Sequence, residues 1–348
     1  MVGSAPPIGV ALLGGGPAIE SAAEYLSFKA VYSRSAASAR SIADGLSCHV
    51  DLYSEDTGNG LDNLLRRPDI QAVVVSLPFE SQPRFIRAAL MAGKHVLSEK
   101  PVARNIEDAK ALIQWYRREI NGPSWTVAEN WRFLESYKYA AKQMVGLGKI
   151  IGFQGRQHDM VPENGKFNLT EWRRNPTHQG GYLLDGGVHY VAGLRLLLGV
   201  EPGHHIASLS AFTTQIQPYL PPVDTADVIL RTTLGVTGVF QISRGTSLRA
   251  DEWTVACSHG WIKVENETVT ISRDGRVEVV RIPNERTGVP PEIRAWGESL
   301  VVGRTHPDQE PEAALADLEL IELMLQSGSR DGAPLVCSHQ NGCLLNAN

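Results

Sequence analysis

Two stretches of the chain hold side chains whose types and spacing could move a proton. In "KHVLSEKPVA" an apolar run ends in Glu99-Lys100-Pro101, a charged pair followed by a residue that locks the backbone. In "THQGGYLLDGGVHYVAGLRLLLG", Asp185 and His189 stand four apart. On a helix that spacing puts them on one face, a turn from each other. Gly180, Gly181, Gly186 and Gly187 flank them, although glycine costs a helix interior up to about 1 kcal/mol. Such a cluster implies close approach of the backbone to a ligand or a neighbouring element. Histidine exchanges protons near neutral pH without help. Lysine does so when burial or a second cation lowers its pKa. Each stretch also has a plainer reading: a solvated Glu-Lys pair at a strand end, and a capping aspartate beside a packed histidine.

A third stretch, "IGVALLGGGPAIESAAEYLSFKAVYSRS" at 8–35, has the shape of a dinucleotide-binding unit. An apolar run meets Gly14-x-Gly16, where glycines would let a pyrophosphate reach helix N-terminal amides. The fingerprint is incomplete, because Ile19 occupies the third glycine position with Ala18 before it; a turn glycine in a non-binding domain would look the same. The second apolar run ends in Tyr32-Ser33-Arg34 in place of the acidic residue that usually meets an NAD ribose. A hydroxyl and a guanidinium suit a 2′-phosphate, hence NADP(H), unless Arg34 is merely a solvated loop residue. Only twelve residues separate Gly16 from Lys29. A helix returning along a strand of about 17–20 Å needs about 12 residues without its turns. The first crossover is therefore expected to be clipped to roughly two and a half helical turns.

The elements that must position these residues fall into two patterns. Up to about residue 120, runs such as "IGVALL", "KAVY", "QAVVVSLP" and "KHVLSE" alternate with amphipathic segments, as parallel strands buried on both faces do. "SWTVAENWRF" reads as one further strand and "SYKYAAKQMVGLG" as a helix. Beyond about 148 the strand-like runs follow one another with Gly, Asn-Glu or Asp-Gly turns, interrupted by one strong helix over 180–199. The fold class is thus α/β: an N-terminal Rossmann doubly wound parallel sheet over 1–130, then an α+β domain with a large, mostly antiparallel open sheet over 131–336. A closing helix spans 311–328, and 337–348 form a tail.

Composition sets limits. A net charge of −5 and a pI near 6.1 give no footprint for nucleic acid or for an anionic membrane surface. The longest apolar stretch is broken by Asp185, His189 and Arg195 and reads as a buried helix, not a membrane span. Cys48, Cys257, Cys337 and Cys343 lack metal-ligand spacing, so no metal site is expected. The N-terminus lacks the pattern of a secretory signal, which points to a cytoplasmic protein.

The motifs "SEKPVA" (98–103), "AENWRF" (128–133), "EWRRNPTHQGGYLLDGGVHYVAGLRLLLG" (171–199) and "EAALADLELIELMLQSG" (312–328) together resemble the Gfo/Idh/MocA oxidoreductases. The likeness runs over about 8–336, nearest to an NADP-dependent subgroup common in fungi and yeasts. It implies that Lys100, Asp185 and His189 form a catalytic group: Lys100 bonded to the reacting oxygen, His189 exchanging the proton, Asp185 orienting and balancing charge. It places Gly14, Gly16, Ser33, Arg34, Leu77, Pro78, Glu99 and Lys100 at cofactor-contacting positions, with Trp172 and Arg173 lining the nicotinamide and substrate pocket. It also implies a homodimer or larger assembly through the C-terminal sheet. The chain departs from the family in its clipped first crossover, which bears on cofactor binding and not on the catalytic group.

The resulting expectation is an NADP(H)-dependent oxidoreductase, with NAD(H) second. It would transfer a hydride between the nicotinamide and a carbonyl or hydroxyl carbon of a small sugar-like or secondary-metabolite substrate. That transfer needs a proton to move on or off the oxygen, which Lys100 and His189 are equipped to do. Two other readings use the same scaffold. One is a non-redox isomerase, hydrolase or lyase with weak or lost cofactor binding; the other is a nucleotide-binding sensor, against which the retention of all three residues argues.

Overall fold

A computed structural model of the chain describes residues 6–15, 19–165 and 170–340, with the side chains of residues 19, 20, 171 and 172 excepted. In chain order the first elements are β1 (Ile8–Gly14), β2 (Leu26–Ser33), α1 (Ala36–Ala43), β3 (Asp51–Ser54), α2 (Leu61–Leu65), β4 (Ala72–Ser76), α3 (Gln82–Met91), β5 (His95–Ser98), α4 (Ile106–Glu119) and β6 (Trp125–Val127). Then follow α5 (Glu135–Met144), β7 (Ile150–His158), α6 (Glu171–Arg174), α7 (Gly181–Leu198), β8 (Ile206–Thr214), β9 (Thr225–Thr232), β10 (Thr237–Ser243), β11 (Ala250–Cys257), β12 (Gly260–Glu265), β13 (Thr268–Arg273) and β14 (Arg276–Arg281). The last are α8 (Val289–Val302), α9 (Pro311–Gly328) and β15 (Leu335–Val336).

By its internal contacts the chain divides into two units, Met1–Glu129 with Val289–Pro311, and Asn130–Gly288 with Glu312–Asn348. The sequence pattern places one boundary at 130, with 289–311 in the second domain. The difference is α8, a helix the periodicity reading passed over, which belongs to the first unit.

Among the described residues the first unit carries a parallel sheet in the order β3-β2-β1-β4-β5-β6, as the alternating pattern predicts. The strand order reverses between β1 and β4, where open α/β sheets take ligands at their carboxyl ends. The first crossover is shorter than expected. In place of two and a half turns its described residues hold one 3₁₀ turn, Ile19–Ala22, because the residues from Leu26 are drawn into β2 and pair with β1 from Ile8↔Leu26 onward. The sheet face that this leaves uncovered is filled from elsewhere. Ile293 and Trp296 of α8, both fully buried, join Val10, Leu12, Leu26, Val31 and Val74 in one core, and Gly297 lets the helix lie against Tyr25 and Leu26. Beyond Val127 the motif Ala128–Phe133 leaves the strand and forms a 3₁₀ turn at Asn130–Phe133. Arg132 is fully buried there, ion-paired with Asp317.

In the second unit the described strands form a sheet in the order β14-β13-β12-β11-β7-β10-β9-β8-β15, antiparallel except between β7 and β10. The predicted turns are seen: Asn266, Asp274 and Gly275 have φ of 51°, 51° and 78° between β12, β13 and β14. Alternation puts Val228, Leu230 and Ile242 on the helix-covered face. Ile229 and Val239, on the other face, are 61% and 43% exposed.

Candidate active site

The carboxyl edge of the first unit's sheet gathers the residues assigned to the nucleotide. Gly14 ends β1 with φ 95°, and a Cβ there would stand 2.2 Å from the Ser76 carbonyl oxygen and 2.8 Å from a Leu77 methyl. Only glycine fits that turn. Among the described residues, outside Gly15 and its chain neighbours, no atom lies within 4 Å of where a Cβ on Gly15 would stand. Gly16 lies outside the described residues. Ser33 closes β2, half-buried, with the exposed Arg34 next to it, and Ser35 then caps α1 through the Ser38 amide. Leu77 and Pro78 continue from β4; the Leu77 carbonyl accepts from Gln82 Nε2 at 3.1 Å and the Pro78 carbonyl from Ser81 Oγ at 2.8 Å. Glu99 and Lys100 follow β5, where the Glu99 amide donates to the Val75 carbonyl at 2.9 Å. Both are half-buried between the buried runs Val96–Ser98 and Pro101–Ala103, and the Lys100–Pro101 peptide is cis. The residues present therefore fit a dinucleotide: a close-packed glycine turn at the carboxyl edge of the sheet and a hydroxyl-guanidinium pair at the end of the second strand.

Below this edge Tyr32 donates to Glu55 Oε1 at 2.7 Å. Burial, reinforced by that carboxylate, holds the phenol protonated well above its usual range. The Tyr32 hydrogen bond in turn lowers the Glu55 pKa, as does a bond from the Leu61 amide.

The other half of the predicted group stands on α7 of the second unit. Gly181 opens this helix at φ 47°, and a Cβ there would meet the Pro221 carbonyl at 2.4 Å, so packing accounts for this glycine. Along Gly181–Leu198 all residues are buried except three, Asp185, Gly186 and His189. The two chemistry-bearing side chains are thus the open window of an otherwise buried helix. Asp185 is not a cap: it sits inside the helix and accepts from Arg173 Nε at 2.9 Å. Arg173, assigned to the pocket, is in this way tied to the predicted group, and its Nη1 also donates to Thr170 Oγ1 at 3.2 Å. Trp172 lies in α6, its side chain outside the described residues. His189 stacks on Trp131, with centroids 6.4 Å apart and planes inclined by 16°.

Two residues near this window escaped the sequence reading. His178 accepts the Gly181 amide at Nδ1, 3.1 Å, and burial pushes its pKa down to about 4, so it stays a neutral acceptor at the head of the helix. Trp131 is the hub of an aromatic cluster, edge-on to Tyr190 at 5.0 Å and to Trp253 at 5.2 Å. Trp131 lies in the "AENWRF" motif, but nothing in a linear pattern shows which distant rings it will meet.

Residues 9–121 match the oxidoreductase family with an NAD-binding Rossmann fold, and residues 140–263 match the GFO/IDH/MocA C-terminal domain. The chain is 38% identical over 349 residues to a dehydrogenase, FPY6, of Fusarium mangiferae, covering 94% of this chain and 98% of that one. It is 32% identical over 174 residues to a dTDP-3,4-didehydro-2,6-dideoxy-alpha-D-glucose 3-reductase of Streptomyces violaceoruber, covering 49% of this chain and 47% of the other. An oxidoreductase structure from Thermotoga maritima superposes with a TM-score of 0.83 at 24% identity, covering 95% and 98% of the two chains. An inositol dehydrogenase homologue from Azotobacter vinelandii complexed with NAD+ superposes at 0.78 and 21%, covering 96% and 98%. With a nucleotide edge built as described, family matches to both parts of the chain and a relative aligned along nearly its whole length, this protein belongs to the Gfo/Idh/MocA family of NAD(P)-binding oxidoreductases.

Proposed function

We propose that the protein is an NADP(H)-preferring reductase or dehydrogenase of a sugar-like carbonyl or hydroxyl carbon. In this reading Lys100 hydrogen-bonds the reacting oxygen and His189 gives or takes its proton. Asp185, held by Arg173, keeps the charge of the group balanced. The observation that carries it is the exposure pattern: each buried element opens to solvent just at the residues with acid–base chemistry, Glu99-Lys100 after β5 and Asp185/His189 on α7. Arg34, exposed beside Ser33 at the end of β2, supports the preference for a 2′-phosphate. The named activity of the Streptomyces relative on a nucleotide-linked sugar supports the substrate class. When bound, the cofactor supplies the hydride; the chain supplies orientation and the proton.

The test is to follow nicotinamide absorbance while the protein meets NADPH with a panel of aldoses, ketoses and sugar lactones, and NADP+ with the matching polyols. Turnover on at least one pair, absent in Lys100→Met, is expected. Failure of every pair, in a protein that binds NADPH, would move the assignment to another substrate class. The 3₁₀ turn that stands, among the described residues, where the first crossover helix is expected favours a second reading, acid–base chemistry without redox. That reading gains if neither nucleotide binds.

The remaining expectations are part of the same proposal: a cytoplasmic enzyme, active on a small molecule with no nucleic-acid or membrane partner, assembled as a symmetric dimer. Among the described residues no helix is long and apolar enough to cross a membrane. Ile151, Phe212, Ile229 and Val279 expose more than half their surface on the sheet of the second unit, an apolar face suited to a second copy. A monomeric mass by light scattering at micromolar concentration would count against the dimer.

A further inference from the structure

The second unit carries a cleft of about 700 Å³ at the ends of β11, β12 and β14 and over the start of α5. That size matches a small-molecule site. Its walls include Trp131, Tyr137, Asp251, Glu265, Arg281 and Arg286. The loop after β14 is laced in place: the Ser136 amide donates to Asn284 Oδ1 at 3.0 Å, and the Asn284 amide to Glu267 Oε1 at 3.1 Å. Most of the charges in the wall are already committed. Arg281 pairs with Glu267 at 3.0 Å and Lys263 with Glu265 at 2.6 Å.

Two charges are left over. Among the described residues neither the Asp251 carboxyl nor the Arg286 guanidinium has a hydrogen-bond or ion-pair partner. Arg286 holds φ 53°, a conformation that costs a non-glycine residue on the order of 1 kcal/mol and persists where the surroundings demand it. Burial, with Glu265 beside it, pushes the Asp251 carboxyl up to about 6, so the carboxylate is underserved by the protein itself. The cleft thus offers one strong acceptor, one multidentate donor, and the half-buried indole of Trp131 backed by the buried Tyr137. Three carboxylates, Asp251, Glu265 and Glu267, face two guanidiniums, which disfavours an anion. A neutral ligand with many hydroxyls on one side and C–H groups on the other matches every part of this lining.

We infer that this cleft is a second binding site, taking the polyhydroxylated ring of a saccharide or polyol, with Asp251 accepting its hydroxyls, Arg286 donating to them and Trp131 packing on its C–H face. The Trp131 indole that stacks on His189 is shared, so the cleft and the α7 window have one wall in common. The inference does not rest on hydride transfer. A sugar held here is held without nucleotide, whichever chemistry Lys100 performs.

Saturation-transfer NMR and titration calorimetry on the full chain, without nucleotide, with D-glucose, maltose and myo-inositol as probes, test it. Binding of at least one probe is expected, retained in His189→Ala and weakened at least tenfold in Asp251→Asn and in Arg286→Gly. The glycine variant relieves the positive φ and so keeps the loop fold. If no probe binds, the proposal is overturned. It is also overturned if binding disappears in His189→Ala while surviving both cleft variants, which would place the sugar at the α7 window alone. Binding of inorganic phosphate in preference to all three sugars, lost in Arg286→Gly, would make the cleft an anion site and overturn it equally.

Discussion

The nucleotide edge of the first unit and the α7 window of the second are built in opposite ways. The nucleotide edge is made of backbone: a glycine turn packed against a neighbouring carbonyl, and strand ends that stop at one level. The α7 window is made of side chains, each held by another: Asp185 by Arg173, His189 by Trp131, Gly181's amide by His178. The contrast teaches where each is vulnerable. A backbone site fails when a side chain is added or the support under the sheet is removed. A side-chain site fails when one group is deleted, and the fold survives.

The largest effect expected is on chemistry. Lys100→Met should abolish turnover while leaving the fold and NADPH affinity nearly intact, checked by steady-state rates alongside a thermal melt. His189→Ala should cost about 10²–10⁴ in rate, the range for a general acid–base group. Retention of near wild-type rate by either variant would break the assignment of the proton to these residues.

Next in size is the support under the nucleotide edge. Trp296 is fully buried in the core that α8 shares with β1, β2 and β4, and among the described residues its Nε1 has no hydrogen-bond partner. Trp296→Ala should destabilise the protein by about 3–5 kcal/mol. Trp296→Phe should cost much less, since it keeps a ring and removes a buried unpaired N–H. Chemical denaturation measures both. If the alanine variant is no weaker than the phenylalanine one, α8 does not replace the missing crossover helix.

The smallest effect concerns pH and the second unit. Asp251 titrates at about 6 when folded and at about 3.9 when unfolded. Between those values the folded chain binds more protons, so this group lowers stability as pH rises through that window and keeps it lower above. Asp251→Asn should therefore be more stable than wild type at about pH 8, by on the order of 1–2 kcal/mol, with no gain near pH 4. His178, pushed down to about 4, has the opposite sign: its contribution is lost as pH falls from about 6.5 toward that value. Melting temperatures of the wild type and the two single variants, Asp251→Asn and His178→Gln, across this range would separate the slopes.

How much of this was legible beforehand follows from the range over which each signal acts. The parallel sheet and the antiparallel run were readable because their residues alternate or cluster locally, as in "QAVVVSLP" or the Asp274-Gly275 turn. The window on α7 was half-readable: spacing put Asp185 and His189 on one face, but only packing shows the rest of that helix to be buried. α8 has no clear signal because its two prolines and two glutamates blur the periodicity of "VPPEIRAWGESLVV", and its partner surface on β1, β2 and β4 lies far earlier in the chain. The clipped crossover was anticipated from length alone. That Leu26 would leave the helix for β2 depended on its register with Ile8, which no local pattern encodes.

Cofactor choice tests the central claim most directly. Fluorescence titration of the purified protein with NADPH and with NADH should show NADPH bound at least tenfold more tightly, about 1.4 kcal/mol. Replacing Arg34 by alanine should erase that gap by weakening NADPH alone. Equal affinities in the wild type, or a gap that survives Arg34→Ala, would contradict the role given to Arg34; failure of both nucleotides to bind would contradict the oxidoreductase reading itself.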